Sequence, residues 1–167
     1  MRFLKQAATP AVVIAMATGS AMAGEVKISF VDQASFSDAG ATPWEEQATL
    51  DALAKHLQAL GKRYLPADQV LKVELLDVDL AGTVRPSRRA GTSLRFVRGG
   101  ADWPRIKLRY TLEVNGQPLL NGEESVADMD YANSLGSSRG SGPLHYEKHM
   151  LDGWFKARFV ERGAAAG

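Results

Sequence analysis

The sequence predicts an α+β fold, a two-layer sandwich of a mostly antiparallel sheet and two amphipathic helices, in the order β-α-β-β-β-α. Residues 103–114 alternate between apolar and polar side chains, as a strand with one buried face does. Asn115-Gly116 follows, and this dipeptide between two strand patterns is a strong hairpin signal. Residues 43–64 and 144–159 instead repeat apolar side chains every three or four positions, which is typical of helices.

The first 23 residues are expected to be a cleaved secretory signal peptide. Arg2 and Lys5 give a basic start, and residues 11–17 are apolar and uncharged. The sequence Ala-Met-Ala at 21–23 is a small-x-small cleavage site, which makes Gly24 the new N-terminus. The apolar run is shorter than the roughly 20 residues that span a bilayer, so a membrane anchor is disfavoured. We therefore expect a periplasmic or secreted protein.

The mature chain is predicted to form one domain at residues 24–162, followed by a disordered tail at 163–167. Cleavage removes two of the 20 basic residues and none of the 19 acidic ones, so the formal charge becomes −1. That balance gives no general attraction to nucleic acid. The lack of cysteine excludes disulfides, thiol catalysis and thiolate metal sites. After cleavage, no apolar stretch is long enough to span a membrane.

The first strand and both helices have clear local signals. Residues 25–31 alternate between polar and apolar side chains, which predicts a strand. Thr42 can cap the first helix, Pro43 suits its first turn, and Glu45 can complete a capping box. The last helix begins after Pro143 and carries an aromatic stripe. This stripe comprises Met150, Leu151, Trp154, Phe155 and Phe159.

The apolar side chains of the strand at residues 70–80 change parity after Leu75. Either both faces of this strand are buried, or a bulge at Leu75-Leu76 resets the register. We favour the bulge, because the alternative would bury Asp77 and Asp79, and buried carboxylates are costly. With the bulge, the polar side chains share one face; they are Lys72, Glu74, Asp77 and Asp79.

The Asn-Gly hairpin is compatible with two registers. A regular two-residue turn places Lys107 opposite Glu124. A one-residue bulge at 119–120 instead places Glu123 beside Arg109. Each register contains a cross-strand ion pair, so the pattern leaves both open.

Residues 83–102 are predicted to be a loop, with a short strand at 93–97 as a candidate fifth strand, and residues 133–142 are expected to be mobile. Five arginines fall within 14 residues of the first loop, without a lysine or an acid among them. Guanidinium groups suit phosphate and carboxylate ligands. The alternative is that they pair with acids of the sheet. These arginines, here called the arginine loop, are Arg85, Arg88, Arg89, Arg95 and Arg98.

The polar face of the sheet is the second candidate surface. Asp77, Asp79 and Glu123 could serve as the paired carboxylates of a hydrolase. Lys107 and its neighbours on the same strand can instead neutralise Asp77, Asp79 and Glu124 in a cross-strand ladder, which we favour. As a binding surface, this face would contribute Asp77, Asp79, Arg105 and Arg109.

His145 and His149 lie four residues apart on the last helix, a spacing that can chelate a divalent metal. The zinc-protease motif requires glutamate directly after the first histidine, and Tyr146 stands there. No third ligand is marked by the pattern, so we predict no metal and no cofactor.

Four stretches together resemble a bacterial family catalogued as domain of unknown function 3016. They are Leu76–Gly82 (LDVDLAG), Trp103–Tyr110 (WPRIKLRY), His145–Lys148 (HYEK) and Leu151–Phe155 (LDGWF). The resemblance implies an exported bacterial protein of one small domain, and it brings no catalytic residue, cofactor or substrate.

The sequence thus predicts a non-enzymatic binding or accessory module of the bacterial envelope. Its contacts would run through the arginine loop and the polar sheet face, and its partner would be an anionic envelope component or an envelope protein. The alternative is a hydrolase or metal-dependent enzyme that uses Asp77, Asp79 and Glu123, or His145 and His149.

Overall fold

A computed structural model describes residues 23–87, 92–98, 100–134 and 142–161. The predicted signal peptide up to residue 22, residues 135–141 of the predicted mobile segment, and the tail lie outside the described residues. In chain order the elements are β1 Glu25–Phe30, a 3-10 turn Gln33–Ser35, α1 Pro43–Tyr64, β2 Gln69–Asp79, β3 Thr83–Ser87, β4 Thr92–Phe96, β5 Arg105–Val114, β6 Gln117–Ala127, α2 Tyr131–Ser134, α3 His145–Phe155 and a π-helical turn Lys156–Val160.

The α+β prediction is confirmed. The main sheet has four strands in the order β1-β2-β5-β6. It is mixed rather than wholly antiparallel: β1 runs parallel to β2, because α1 carries the chain back between them, and the other two pairings are antiparallel. The short strand expected at 93–97 does form, as β4. The prediction of a loop is wrong for residues 83–87, which form β3 and pair with β4 in a separate two-stranded sheet.

The start of α1 is closed by reciprocal hydrogen bonds. The Glu45 backbone N–H donates to Thr42 Oγ1 at 3.2 Å, and Glu45 Oε2 accepts from the Ala41 N–H at 2.9 Å. This is the predicted capping box, except that the glutamate reaches one residue further back. Near the other end, a Cβ on Gly61 would lie 2.1 Å from Val26 Cγ2, so only glycine lets α1 approach β1 this closely.

The predicted bulge in β2 is confirmed. Leu75 pairs with Leu108 and Asp77 pairs with Lys107, which leaves Leu76 as the extra residue. The bulge therefore keeps Leu75 in the core while Asp77 lies on the polar face.

The hairpin adopts the bulged register, with Glu123 opposite Arg109. The regular register, which placed Lys107 opposite Glu124, is wrong: Leu119 is the extra residue, and every later residue of β6 moves to the other face of the sheet. Glu123 consequently lies on the polar face, and Glu124 lies on the face that the helices cover.

The core lies between the sheet and the helices, and aromatic side chains fill the part of it that lies next to α3. The Tyr110 ring meets the Phe159 ring edge-on at 5.5 Å and the Trp154 ring at 5.8 Å. His56 Nε2 on α1 lies 2.8 Å from Asp152 Oδ1 on α3, and this contact joins the two helices. Among the described residues, no helix is both long and apolar enough to cross a membrane.

Candidate functional site

The polar face of the main sheet carries a ladder of ion pairs, as favoured from the sequence. The side chains of Lys107, Arg109 and Glu123 are 40–53% exposed, so this face is open to solvent. The pairs of the ladder are Arg105–Asp79, Lys107–Glu123, Arg109–Glu74 and Arg109–Glu123, each with an N···O distance of 2.9 Å, together with Lys72–Glu113.

These contacts alter ionisation. Hydrogen bonds from Lys107 and Arg109 hold the pKa of Glu123 below its usual value, and the hydrogen bond to Glu123 is the main cause that raises the pKa of Arg109. Partial burial raises the pKa of Asp79, and the nearby Arg105 offsets this only in part. Glu123 is thus held as a carboxylate between two cations, an arrangement unsuited to a general acid at neutral pH.

Two acids assigned to the ladder from the sequence lie outside it. The carboxylate of Asp77 accepts from the backbone N–H of Ser37 at 2.7 Å and from its hydroxyl at 2.9 Å, so Asp77 fixes the loop after β1. Glu124 faces the helices, because the bulge at Leu119 reverses its side relative to the regular register.

The three described arginines of the arginine loop have different environments. Arg95 makes a bidentate pair with Asp38, at 2.8 and 2.9 Å, and one of its nitrogens lies 3.4 Å from the Ala81 carbonyl oxygen. Arg85 and Arg98 are exposed. Arg88 and Arg89 lie outside the described residues. The partner of Arg95 was missed from the sequence, because Asp38 is 57 residues away in an irregular stretch.

A groove of about 620 Å³ lies between β6 and the helical segment 149–158. This surface, here called the β6–α3 groove, was not predicted. One wall is the end of β6 and the other is the helix with its π-helical turn. The groove is lined by Glu124, Ser125, Val126, Ala127, Asp128, His149, Met150, Gly153, Trp154, Ala157 and Arg158.

Glu124 fixes the floor of the groove. Its carboxylate accepts from the Tyr110 hydroxyl at 2.9 Å, from Trp154 Nε1 at 3.1 Å and from Arg158 Nε at 3.0 Å. These donors come from β5, α3 and the π-helical turn. Since the Arg158 side chain is still 32% exposed, its guanidinium is held in place while part of it faces solvent.

The two histidines of α3 have separate environments. His149 lines the groove, whereas the His145 ring lies 3.8 Å from the Tyr146 ring. In the described part of the chain, no three side chains of His, Asp or Glu are arranged to hold a metal ion.

Residues 24–157 match the family described as "Protein of unknown function (DUF3016)". The chain belongs to this family. The resemblance drawn from the four stretches is therefore confirmed, and the family match includes the ladder and the Arg95–Asp38 pair. Comparisons with curated proteins and with solved structures gave no match.

Two buried polar groups within the family match were also missed from the sequence. Glu147 is 3% exposed, and its carboxylate accepts from the Ala81 N–H at 2.8 Å. Its spacing from Leu151 and Trp154 places it on the buried stripe of α3, a signal that could have revealed it. The hydroxyl of the fully buried Tyr131 donates to Asp102 at 2.6 Å.

Proposed function

We propose that this protein is an exported, non-enzymatic binding module of the bacterial envelope, and that it binds an extended segment of an envelope protein along β6. The observation that carries the proposal is the position of β6. This 11-residue strand is an edge of the main sheet, and in the part of the chain that the structure describes its outer side pairs with no strand. An extended segment can add to such an edge through backbone hydrogen bonds.

The half of β6 beside the groove is the half suited to pairing. Near the hairpin, Pro118 has no N–H and Leu119 forms the bulge, so both features hinder strand addition there. From Leu120 to Ala127 the register is regular. Side chains of an added strand that point toward the helices would enter the β6–α3 groove.

The groove offers apolar and hydrogen-bonding contacts, and both can select a side chain of the bound segment. Met150 and Trp154 supply apolar surface, while the Arg158 guanidinium supplies donors for a carboxylate or a carbonyl. Since Glu124 orients Arg158 before any ligand arrives, less conformational entropy would be lost on binding.

Export rests on the predicted cleavage after Ala23. Two observations support it: the Gly24 N–H donates to the Leu65 carbonyl at 2.9 Å, and the family match begins at residue 24. N-terminal sequencing of the protein from a periplasmic extract should read Gly24-Glu25-Val26. Recovery of the uncleaved chain from the cytoplasm alone would contradict export.

The groove can be filled without disturbing the fold. A Cβ on Gly153 meets nothing within 4 Å, so Gly153→Leu should occupy the groove while favouring the helix. We would place a photo-crosslinking residue at Ala157, on the groove wall, and expose growing cells to light. A discrete adduct with an envelope protein is expected, and Gly153→Leu should abolish it.

The matched control uses the same crosslinking residue at Ala59, an exposed position of α1, and a blocking variant Gln58→Leu on that helix. Neither should reproduce or remove the adduct. Once the crosslinked segment is known, a synthetic peptide of that sequence should slow amide hydrogen exchange in residues 120–127. An adduct that survives Gly153→Leu, or a peptide that protects other residues only, would refute the proposal.

A further inference from the structure

The strands β3 and β4 form a two-stranded sheet that stands apart from the main sheet; we call it the arm. Its register places Arg85 opposite Leu94 and Val84 opposite Arg95. Directly opposed residues of an antiparallel pair point to the same face, and successive residues point to opposite faces. One face therefore carries Val84 and Arg95, and the other carries Thr83, Arg85, Leu94 and Phe96.

The face with Arg95 attaches the arm to the rest of the protein. Arg95 is held by Asp38 in the bidentate pair described above. At the base of the arm, the Gly82 N–H donates to the Asp102 carbonyl oxygen at 2.9 Å. Gly82 has φ +87°, and a Cβ there would lie 2.5 Å from the Phe96 carbonyl oxygen, so glycine is needed for this close approach. The orientation of the arm is therefore fixed by its inner face.

The outer face presents apolar side chains to solvent. Leu94 and Phe96 are 41% and 38% exposed, whereas the adjoining Val97 lines a pocket with Arg95 and Glu147 on the inner side. Arg85 stands across from Leu94 and is exposed as well, and exposed Arg98 follows directly after Val97. Leu94 and Phe96 are therefore accessible in part to a ligand that approaches this face.

The segment that forms the arm carries charge of one sign, although Asp38 pairs with Arg95 and the Asp102 carboxylate accepts from the Arg98 backbone N–H at 3.4 Å. Residues 83–101 contain five arginines and no aspartate, glutamate or lysine, although the mature chain as a whole has a formal charge of −1. Exposed aromatic and aliphatic side chains beside arginines are the composition that binds the headgroup region of anionic membranes. A purely polar anion would satisfy the arginines but would leave Leu94 and Phe96 without a role.

We propose that the outer face of the arm docks on an anionic phospholipid bilayer. Leu94 and Phe96 enter the boundary between headgroups and acyl chains, while Arg85 and Arg98 contact lipid phosphates. The arm is separate from the β6–α3 groove, so this interaction and the proposed capture of a peptide segment can each hold without the other.

The test uses the mature chain and two kinds of vesicle, one of phosphatidylcholine and one of phosphatidylcholine with phosphatidylglycerol. Flotation should recover the protein with the anionic vesicles and not with the neutral ones. Leu94→Ser combined with Phe96→Ser should lower the partition coefficient at least tenfold. Arg85→Gln should lower it about fivefold, and added salt should weaken the wild-type interaction.

The controls alter equivalent residues elsewhere. Leu119→Ser removes an apolar side chain that is 68% exposed on β6, and Arg63→Gln removes an exposed arginine of α1. Both should bind vesicles as the wild type does. Urea denaturation would establish that every variant is folded, and Phe96→Trp provides a second measurement, since its fluorescence should shift to the blue on anionic vesicles only.

Three results would overturn the proposal. They are absence of binding to anionic vesicles, unchanged binding of the Leu94→Ser Phe96→Ser variant, and equal loss in the Leu119→Ser control. Retention on an anionic polysaccharide without retention on vesicles would likewise assign the arm to a different ligand. None of these results would alter the expected crosslink at Ala157.

Discussion

Gly122 and Gly153 have opposite surroundings, and this predicts opposite effects of the same substitution. A Cβ on Gly122 would lie 2.9 Å from the hydroxyl oxygen of Tyr110 and 3.0 Å from its Cζ, whereas one on Gly153 meets nothing within 4 Å. Tyr110 cannot easily move away, because its hydroxyl is bonded to Glu124. We expect Gly122→Ala to lower the free energy of unfolding by about 1–3 kcal/mol. Gly153→Ala should raise it by about 0.5–1 kcal/mol. Urea denaturation measures both, and equal effects would contradict the packing described.

The hydrogen bond between Tyr131 and Asp102 predicts a dependence of stability on pH. This bond is the main cause that holds the pKa of Asp102 below its ordinary value of 3.8. Because the pKa of Asp102 is lower in the folded protein than in the unfolded chain, its carboxylate stabilises the fold fully at a pH above the unfolded pKa. This stabilisation is lost as the pH falls through the pKa of the folded protein. Tyr131→Phe should therefore reduce the free energy of unfolding by about 1 kcal/mol at neutral pH, and the deficit should shrink below pH 3.8. Urea denaturation across this range measures it. Tyr146→Phe, which keeps the ring contact with Tyr131, should show no such change with pH.

At the scale of the element, the bulge in β6 predicts which deletion the hairpin tolerates. Leu119 is the extra residue and is 68% exposed, so its deletion leaves the later pairs of β6 with the partners that they already have. We expect a change in the free energy of unfolding below about 1 kcal/mol. Deletion of Ser125 lies beyond the bulge, so it must either turn Glu123 toward the core or turn Val126 away from it, and it should cost about 1–3 kcal/mol. Thermal and urea denaturation of both variants test this, and similar losses would argue against the bulged register.

The two bulges also show what the pattern of residues could and could not decide. In β2 the apolar side chains themselves change parity at Leu75, so only a bulge keeps Asp77 and Asp79 out of the core. In β6 the adjacent Glu123 and Glu124 give an ion pair in either register, and local pattern cannot choose. Trp154 and Arg158 decide it, and they are donors to Glu124 from 30 and 34 residues away.

At the scale of the whole molecule, the attachment of the arm predicts a local rather than a global instability. Arg95→Lys keeps the charge but loses the planar fork that binds both oxygens of Asp38. We expect trypsin to cleave after Arg98, which lies just beyond β4 and precedes a glycine, several times faster in this variant, because the arm opens more often, while the urea midpoint of the main sheet stays the same. Arg105→Lys, which alters an exposed pair of the ladder, is the control and should leave this cleavage rate unchanged. A cleavage rate equal to that of the wild type would show that other contacts hold the arm.

The predicted fold class and the assignment of the polar sheet face to a ladder came from periodicity, which reports the two faces of each strand and helix. The β6–α3 groove and the Arg95–Asp38 pair depend on how separate elements meet, and periodicity carries no information on that. The arginine loop illustrates the difference. Its arginine content could be read from the sequence. The different roles of Arg95, which anchors the arm, and Arg85, which is exposed, could be recognised only from the structure.

The separation of the arm from the main sheet has a consequence for sequence divergence. Replacing Leu94 or Phe96 disturbs no strand of the main sheet and no residue of the core, so drift at these positions carries little structural cost. Substitutions of Asp38, Arg95 or Gly82 differ, because these residues hold the arm in place. The outer face of the arm can therefore be altered by substitution while its attachment to the rest of the protein is kept.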